Sequence, residues 1–185
     1  MNGLLAISRG IDWVNLKIGR AVYWLVLAVV LISCGNAVIR KLFNTSSNAW
    51  LEVQWYLFAA VFLGAAAYTL LVNEHVRIDF VSSRVSDKVK AWIDIIGIVV
   101  FLIPLCIFVV WLSFPYAMDA YKSSEMSSNA GGLIRWPVYL MLPVGFLLLL
   151  AQSVSELIKR FGFLTGALPH LFPPKASHGE SALRA

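Results

Sequence analysis

Charged positions in this chain are separated by very long apolar stretches. Between Arg20 and Arg40 lie 19 residues without a charge, between Glu52 and Glu74 lie 21, between Asp94 and Asp119 lie 24, and between Arg135 and Glu156 lie 20. A bilayer core about 30 Å thick is crossed by about 20 helical residues. Backbone groups in lipid must bond within the segment, so each run has to be a helix. The pattern predicts an all-α integral membrane protein with four transmembrane helices, at about residues 21–39, 53–73, 95–118 and 136–155. These form a membrane domain over 21–160, with an amphipathic segment over 1–20 before it and a Pro-, Ser- and Gly-containing, poorly ordered tail over 161–185 after it.

Finer periodicity adds detail at the edges. Leu4, Ile7, Ile11, Val14 and Ile18 follow a 3-4 spacing, with Arg9, Asp12, Asn15 and Lys17 off the stripe. That suits a helix on the membrane surface, or one that extends the first span. Ser86 is a good N-cap for the third helix and Asp87 suits its first turn. Val85, Val89, Trp92, Ile93 and Ile96 form one stripe on it. A helix from Asp87 to Met118 is about 48 Å long, so it must tilt or project from the bilayer. Pro104 can kink it. Trp136-Pro137 opens the fourth helix, with Pro137 in its first turn, and Pro143 falls inside it. Ala60, Gly64 and Ala67 are small residues spaced for close helix packing, within this chain or against another subunit.

Composition and charge turn this into a topology. The chain of 185 residues is 59% hydrophobic and 14% charged, with a mean hydropathy of +0.77. Eleven of its 15 Lys and Arg residues lie in the N-terminal segment, the loop between the second and third spans, and the tail. Under the positive-inside rule both termini and that loop are cytoplasmic, and the loops near residues 40–52 and 119–136 face outward. The net charge of +5 is then an orientation signal and does not call for a nucleic-acid partner. Cys34 and Cys106 fall inside spans and read as small packing residues, with no disulfide or metal implied.

Candidate chemistry is sparse. The spans contain no Asp, Glu, Lys or Arg, whereas ion-coupled carriers keep ionisable groups or broken helices at mid-membrane. Such a chain is not expected to carry substrate alone. Glu52 is expected at the outer boundary, where a carboxylate stays hydrated. The outer segment "YKSSEMSSNAGGLIRWPV" carries Lys122, Glu125 and Arg135 in a composition that favours turns and mobility. The inner connector "NEHVRIDF" alternates His75, Arg77 and Asp79 with apolar residues. It reads as a structured loop whose charged side pairs internally, Arg77 with Asp79, and which positions the third helix with its Trp92 and Asp94.

The stretch "LEVQWYLFAAVFLGAAAYTLLVNEHVRIDFVSSRVSDKVKAWIDIIG" resembles the small membrane subunit of tripartite ATP-independent periplasmic (TRAP) transporters. The matching elements are E-x-Q at Glu52 and Gln54, the GAAAYTL segment, N-x-H-V-R-x-D, and the S-x-x-x-x-A-W-x-D helix start. The outer "SSEMSSNAGGLIRWP" agrees, and the likeness covers about residues 15–160. The resemblance implies a four-helix subunit without cofactors, in a bacterial inner membrane. It implies two protein partners besides the membrane lipids: a large multi-span transport subunit and a periplasmic substrate-binding protein. The large subunit would hold the substrate and sodium sites and move as an elevator, and the small one would brace its scaffold. Substrates would be organic acids, taken up at the expense of a sodium gradient. Glu52, Lys122, Glu125 and Arg135 are then the expected contacts for the binding protein.

Two other classes compete. A stand-alone four-helix proton-coupled exporter would use Glu52 as its exchangeable carboxylate. A membrane enzyme would use His75, Glu74 and Asp79 as acid and base, but no nucleophile, metal set or cofactor motif accompanies them.

Overall fold

The computed structural model describes residues 2–45, 47–73 and 86–170. Four long helices account for nearly all of them: α1 (Asn2–Phe43), α2 (Asn48–Leu71), α3 (Asp87–Ser123) and α4 (Trp136–Leu164). All four are long and apolar enough to cross a bilayer. They run up, down, up and down, so the start of α1 and the end of α4 lie at one end of the bundle. The α1–α2 turn and the α3–α4 loop lie at the other, called here the loop end. The reading of an all-α membrane protein with four spans holds.

The helices are longer than the apolar runs. With 42 residues, α1 is about 63 Å long, so the expected amphipathic segment is its first half, extending the first span. At 29 residues, α4 continues past the expected end of its span and of the domain. It stops in a glycine-capped turn: Gly166 has φ +77°, and Ala167 N–H donates to the Gly162 carbonyl at 2.8 Å. Leu168 then folds back onto Gly162. Residues 161–170, expected to be poorly ordered, are thus a helix end and its cap, while the tail from 171 falls outside the described residues.

Packing centres on α4. It touches α1, α2 and α3, α1 also packs on α2, and α3 rests chiefly against α4. Close approach is permitted by glycine. A Cβ on Gly145 of α4 would sit 2.7 Å from Leu63 Cβ and 3.1 Å from its carbonyl oxygen on α2. Gly19 of α1 lies against the Tyr68 ring with no room for a side chain, and Gly64 faces Val22 and Ile18 of α1. Ala67 is fully buried and Ala60 half-buried. Gly64 and Ala67 therefore pack inside the subunit.

The apolar stripes of α1 and α3 face out of the bundle. On α1 the apolar stripe points outward, with Leu4, Ile7 and Val14 exposed, while Ser8 and Asn15 are buried. On α3 Val89, Trp92, Ile93 and Ile96 are exposed, and the inward face is Ala91, Ile95 and Ile98. In lipid an outward Leu loses nothing, whereas a polar group must find a partner within the protein. Cys106 is buried as expected, but Cys34 is exposed on α1.

Proline shapes α3. It begins after Ser86, whose carbonyl, not its hydroxyl, caps the first turn by accepting from Val89 and Lys90 N–H at 3.0 and 3.1 Å. Residues Ile98–Leu102 form a π-turn immediately before Pro104. Proline has no N–H, and its ring would press on the carbonyl four residues back. Widening the preceding turn absorbs both effects. Pro115 and Pro143 also sit inside helices, and Pro143 is buried.

A substitution pair tests the packing. Gly145→Val should lower stability by about 1–3 kcal/mol, since Leu63 and its backbone would have to shift. Gly97→Ala, whose Cβ meets nothing, should be neutral or slightly stabilising. Thermal unfolding of both variants in detergent checks this; equal midpoints would contradict a tight α2–α4 contact.

Candidate functional sites at the two ends of the bundle

At the loop end, α2 opens with Asn48, Glu52 and Tyr56, spaced four apart and therefore on one face. The α3–α4 loop is laid across that face. Ser124 takes the left-handed conformation (φ +50°) to end α3, and Gly131 (φ +70°) turns the chain back. Ser127 N–H donates to the Leu133 carbonyl at 2.9 Å, and Arg135 N–H to the Glu125 carbonyl at 2.9 Å. The loop is a small antiparallel hairpin, bridged between Met126 and Ile134.

Glu52 is the centre of this clasp. Its carboxylate accepts from the Ser127 hydroxyl, from Asn129 Nδ2 at 2.8 Å and from Leu133 N–H at 2.6 Å. Two further ties flank it: Asn48 Nδ2 donates to the Ala130 carbonyl at 2.9 Å, and the Tyr56 hydroxyl to the Ile134 carbonyl at 2.9 Å. Glu52 is only 4% exposed. The expectation of a hydrated carboxylate is corrected, because the loop's own donors have replaced water. The expected turns are present, and Ser127, Asn129 and Leu133 of the loop are tied to Glu52.

Of the residues expected to meet a binding protein, the structure brings Glu125 and Arg135 together as an ion pair at 3.3 Å. Arg135 also donates to the Tyr139 hydroxyl at 3.3 Å. Tyr139 stacks near Tyr116 with ring centroids 4.7 Å apart. Lys122 stands exposed in the last turn of α3. Glu52 lies beneath this surface and supports it.

At the end where α1 starts and α4 stops is a second site that the sequence reading missed. Ser8, Asp12 and Asn15 on α1 face Gln152, Ser155, Glu156 and Lys159 on α4. The Ser8 and Ser155 hydroxyls are 2.7 Å apart. Ser155 donates to Asp12 at 2.8 Å and Gln152 Nε2 to Asp12 at 3.0 Å. Asn15 Nδ2 donates to Gln152 Oε1 at 2.7 Å. Lys159 Nζ lies 2.7 Å from both Asp12 and Glu156. Arg160 pairs with Glu156 and, at 3.3 Å, with Asp94 of α3.

Glu156 and Arg160 are each 3% exposed. The uncharged runs suggested a protein with no buried charge. That is corrected: the charges sit just beyond the runs, on helices long enough to carry them into contact. Asp94, singled out with the inner loop, belongs to this network, while Trp92 points outward. His75, Arg77 and Asp79, together with Glu74, lie outside the described residues.

A signal for the network was present in the sequence. Ser8, Asp12 and Asn15 recur at spacings of four and three, and so do Gln152, Ser155, Glu156 and Lys159, which places each set on one helical face. Among the described residues no group of His, Cys, Asp and Glu has the arrangement of a metal site. Bonds from Asp12, Asn15, Ser8 and Asp94 to α4, and from the hairpin to Asn48, Glu52 and Tyr56, join separate elements, so both sites fasten helices and loops.

Two measurements test these fastenings. Replacing one partner of the buried pair, as in Glu156→Leu, should destabilise by about 3–5 kcal/mol, and Glu156→Leu with Arg160→Met should recover part of the loss. Unfolding midpoints give the answer, and a double variant no better than the single would refute the pairing. At the other end, Glu52→Ala should speed amide exchange at Leu133 by about tenfold to a hundredfold, the loss of a charged hydrogen bond. Unchanged exchange there would show that the loop holds without Glu52.

Comparison with known proteins bears on what these fastenings serve. No curated protein and no solved structure matches the chain. The profile of the family described as "Tripartite ATP-independent periplasmic transporters, DctQ component" matches residues 29–162. The match takes in the last part of α1, all of α2 and α3, nearly all of α4 and the clasp at the loop end, and covers well over half of the sequence; Ser8, Asp12 and Asn15 lie before it. The chain belongs to the DctQ component family of tripartite ATP-independent periplasmic transporters.

Proposed function

We propose that this chain is the small, non-transporting and non-enzymatic membrane subunit of a sodium-driven, binding-protein-dependent uptake system for organic acids. It sits in a bacterial inner membrane with both termini cytoplasmic, braces the scaffold of a large transport subunit, and presents its α3–α4 loop to the periplasmic binding protein. Membership of the family carries the first part of this reading. The fate of the polar groups supports the rest. The charged side chains between the helices are paired, Asp12 with Lys159 and Asp94 with Arg160 across helices and Glu156 with Lys159 and Arg160 along α4, and the loop-end carboxylate is locked to a loop. Little is left to line a polar route through the subunit, and the apolar surface of α1, α2 and α3 is free to meet lipid or another membrane chain.

The docking surface follows from the loop geometry. Glu52 holds the hairpin down, and Lys122, Glu125 and Arg135 stand on or beside it. An exporter that exchanges protons at Glu52 would need that carboxylate open to an aqueous path, whereas here three donors from the loop surround it.

The reading is tested in cells and after purification. The chain should co-purify from its native membrane with a large multi-span subunit, and its deletion should abolish binding-protein-dependent uptake. Charge reversals at Lys122, Glu125 and Arg135 should reduce that uptake several-fold without dissociating the membrane complex. Uptake that survives deletion would refute the reading, and normal uptake in all three reversals would refute loop docking alone.

A further inference from the structure

Near the loop end a groove of about 420 Å³ runs along the outer face of the bundle between the end of α1 and the start of α2. Its walls include Leu31, Ile32, Gly35, Asn36, Ile39 and Trp50. Gly35 opens it, since a Cβ there would meet no atom of the protein. The lining is almost wholly apolar, as expected of a surface facing acyl chains.

The residues along this stretch of α1 are graded by polarity. Ile32, Asn36 and Arg40 are four apart, so they stand one above another on a single face. Each step is about 6 Å along the axis. From the membrane interior outward they are apolar, amide and cation, and Lys41 adds a second cation beside Arg40. A phospholipid has the same order: acyl chain, ester carbonyl, phosphate. Among the described residues Asn36 has no hydrogen-bond partner, nor do Arg40 and Lys41 have a carboxylate partner. An amide on an apolar, lipid-facing wall is costly unless something bonds to it; the Thr45 and Ser47 hydroxyls also line the groove, but neither bonds to Asn36. Trp50, half exposed at the groove's mouth, is the residue type that settles at the headgroup level.

We propose that this groove is a binding site for one anionic phospholipid. An acyl chain lies along Leu31, Ile32 and Gly35, an ester carbonyl accepts from Asn36 Nδ2, and the phosphate pairs with Arg40 and Lys41. The site needs only that the chain spans a bilayer, and it is independent of the assignment to a transport complex.

Native mass spectrometry of the full chain in mild detergent tests the site, with phosphatidylglycerol and the zwitterionic phosphatidylcholine as probes. Phosphatidylglycerol should bind about tenfold more tightly, since each surface cation favours an anionic headgroup. Arg40→Gln with Lys41→Gln should abolish that preference; both are exposed, so folding is not at stake. Gly35→Leu should fill the groove and weaken both lipids at least tenfold, with an unchanged unfolding midpoint. Wild-type binding in Gly35→Leu, or a preserved preference in the double variant, would overturn the proposal. The complex with the co-purifying large subunit should still retain the lipid. Its release on assembly would assign the groove to a partner helix and overturn the lipid site.

Discussion

A polar group inside a membrane protein cannot fall back on water, and the rest of this structure depends on how that constraint is met. The buried Glu156–Arg160 pair of α4 shows the solution. Its carboxylate is also reached by Gln152 and Lys159, and its guanidinium by Asp94 of α3. Through Gln152, Lys159 and Asp12 the network continues into α1. One helix, α4, thereby fixes the register of two others with bonds that are directional and cannot slide, while glycine-mediated contacts hold α2 against it. Van der Waals packing between apolar helices in lipid has no comparable preference for one register, because a lipid tail serves nearly as well as a neighbouring Leu.

The same constraint inverts the usual sense of amphipathicity. In water the stripe of Leu4, Ile7 and Val14 would seek the core; here it faces outward, and Ser8, Asp12 and Asn15 seek α4. On α3 Trp92 and Ile93 point out while Ala91 and Ile95 point in. Small residues inside allow helices to approach, and large ones outside fill the space between protein and lipid. The inner faces of this protein are therefore recognised by small and polar residues.

This explains what could be read from the sequence. The four spans were legible because run length is set by bilayer thickness and needs no knowledge of neighbours. The helix start after Ser86, the first turn with Pro137 and the disturbance at Pro104 were legible because they are local backbone chemistry. Which face of each helix turned inward was not, because an apolar stripe in a membrane helix can face lipid as readily as a neighbouring helix. Glu52 was misjudged for a related reason. Its position at the end of a span was evident, but the hydrogen-bond donors that replace its water come from a loop about 80 residues further along the chain. Glu156 and Arg160 lay at or just past the end of an uncharged run, Asp12 in the segment before the first, and Gln152 inside a run without a charge, so a search for charges at mid-span passes over all four.

The two clasped ends have a mechanical consequence. The terminal end is fixed by a charged network across α1, α3 and α4; the loop end by hydrogen bonds from the α3–α4 hairpin to α2 and Glu52. Between them the helices meet at Gly19, Gly64 and Gly145, where close backbone contact leaves little room to slide. A subunit fastened at both ends and held by close backbone contacts between them favours one arrangement of its helices. An alternating-access carrier needs the opposite, an interface with two packings of similar energy. Rigidity of this kind suits a part that others move against, and so the brace proposed for this chain follows from where its polar side chains are spent as much as from its family.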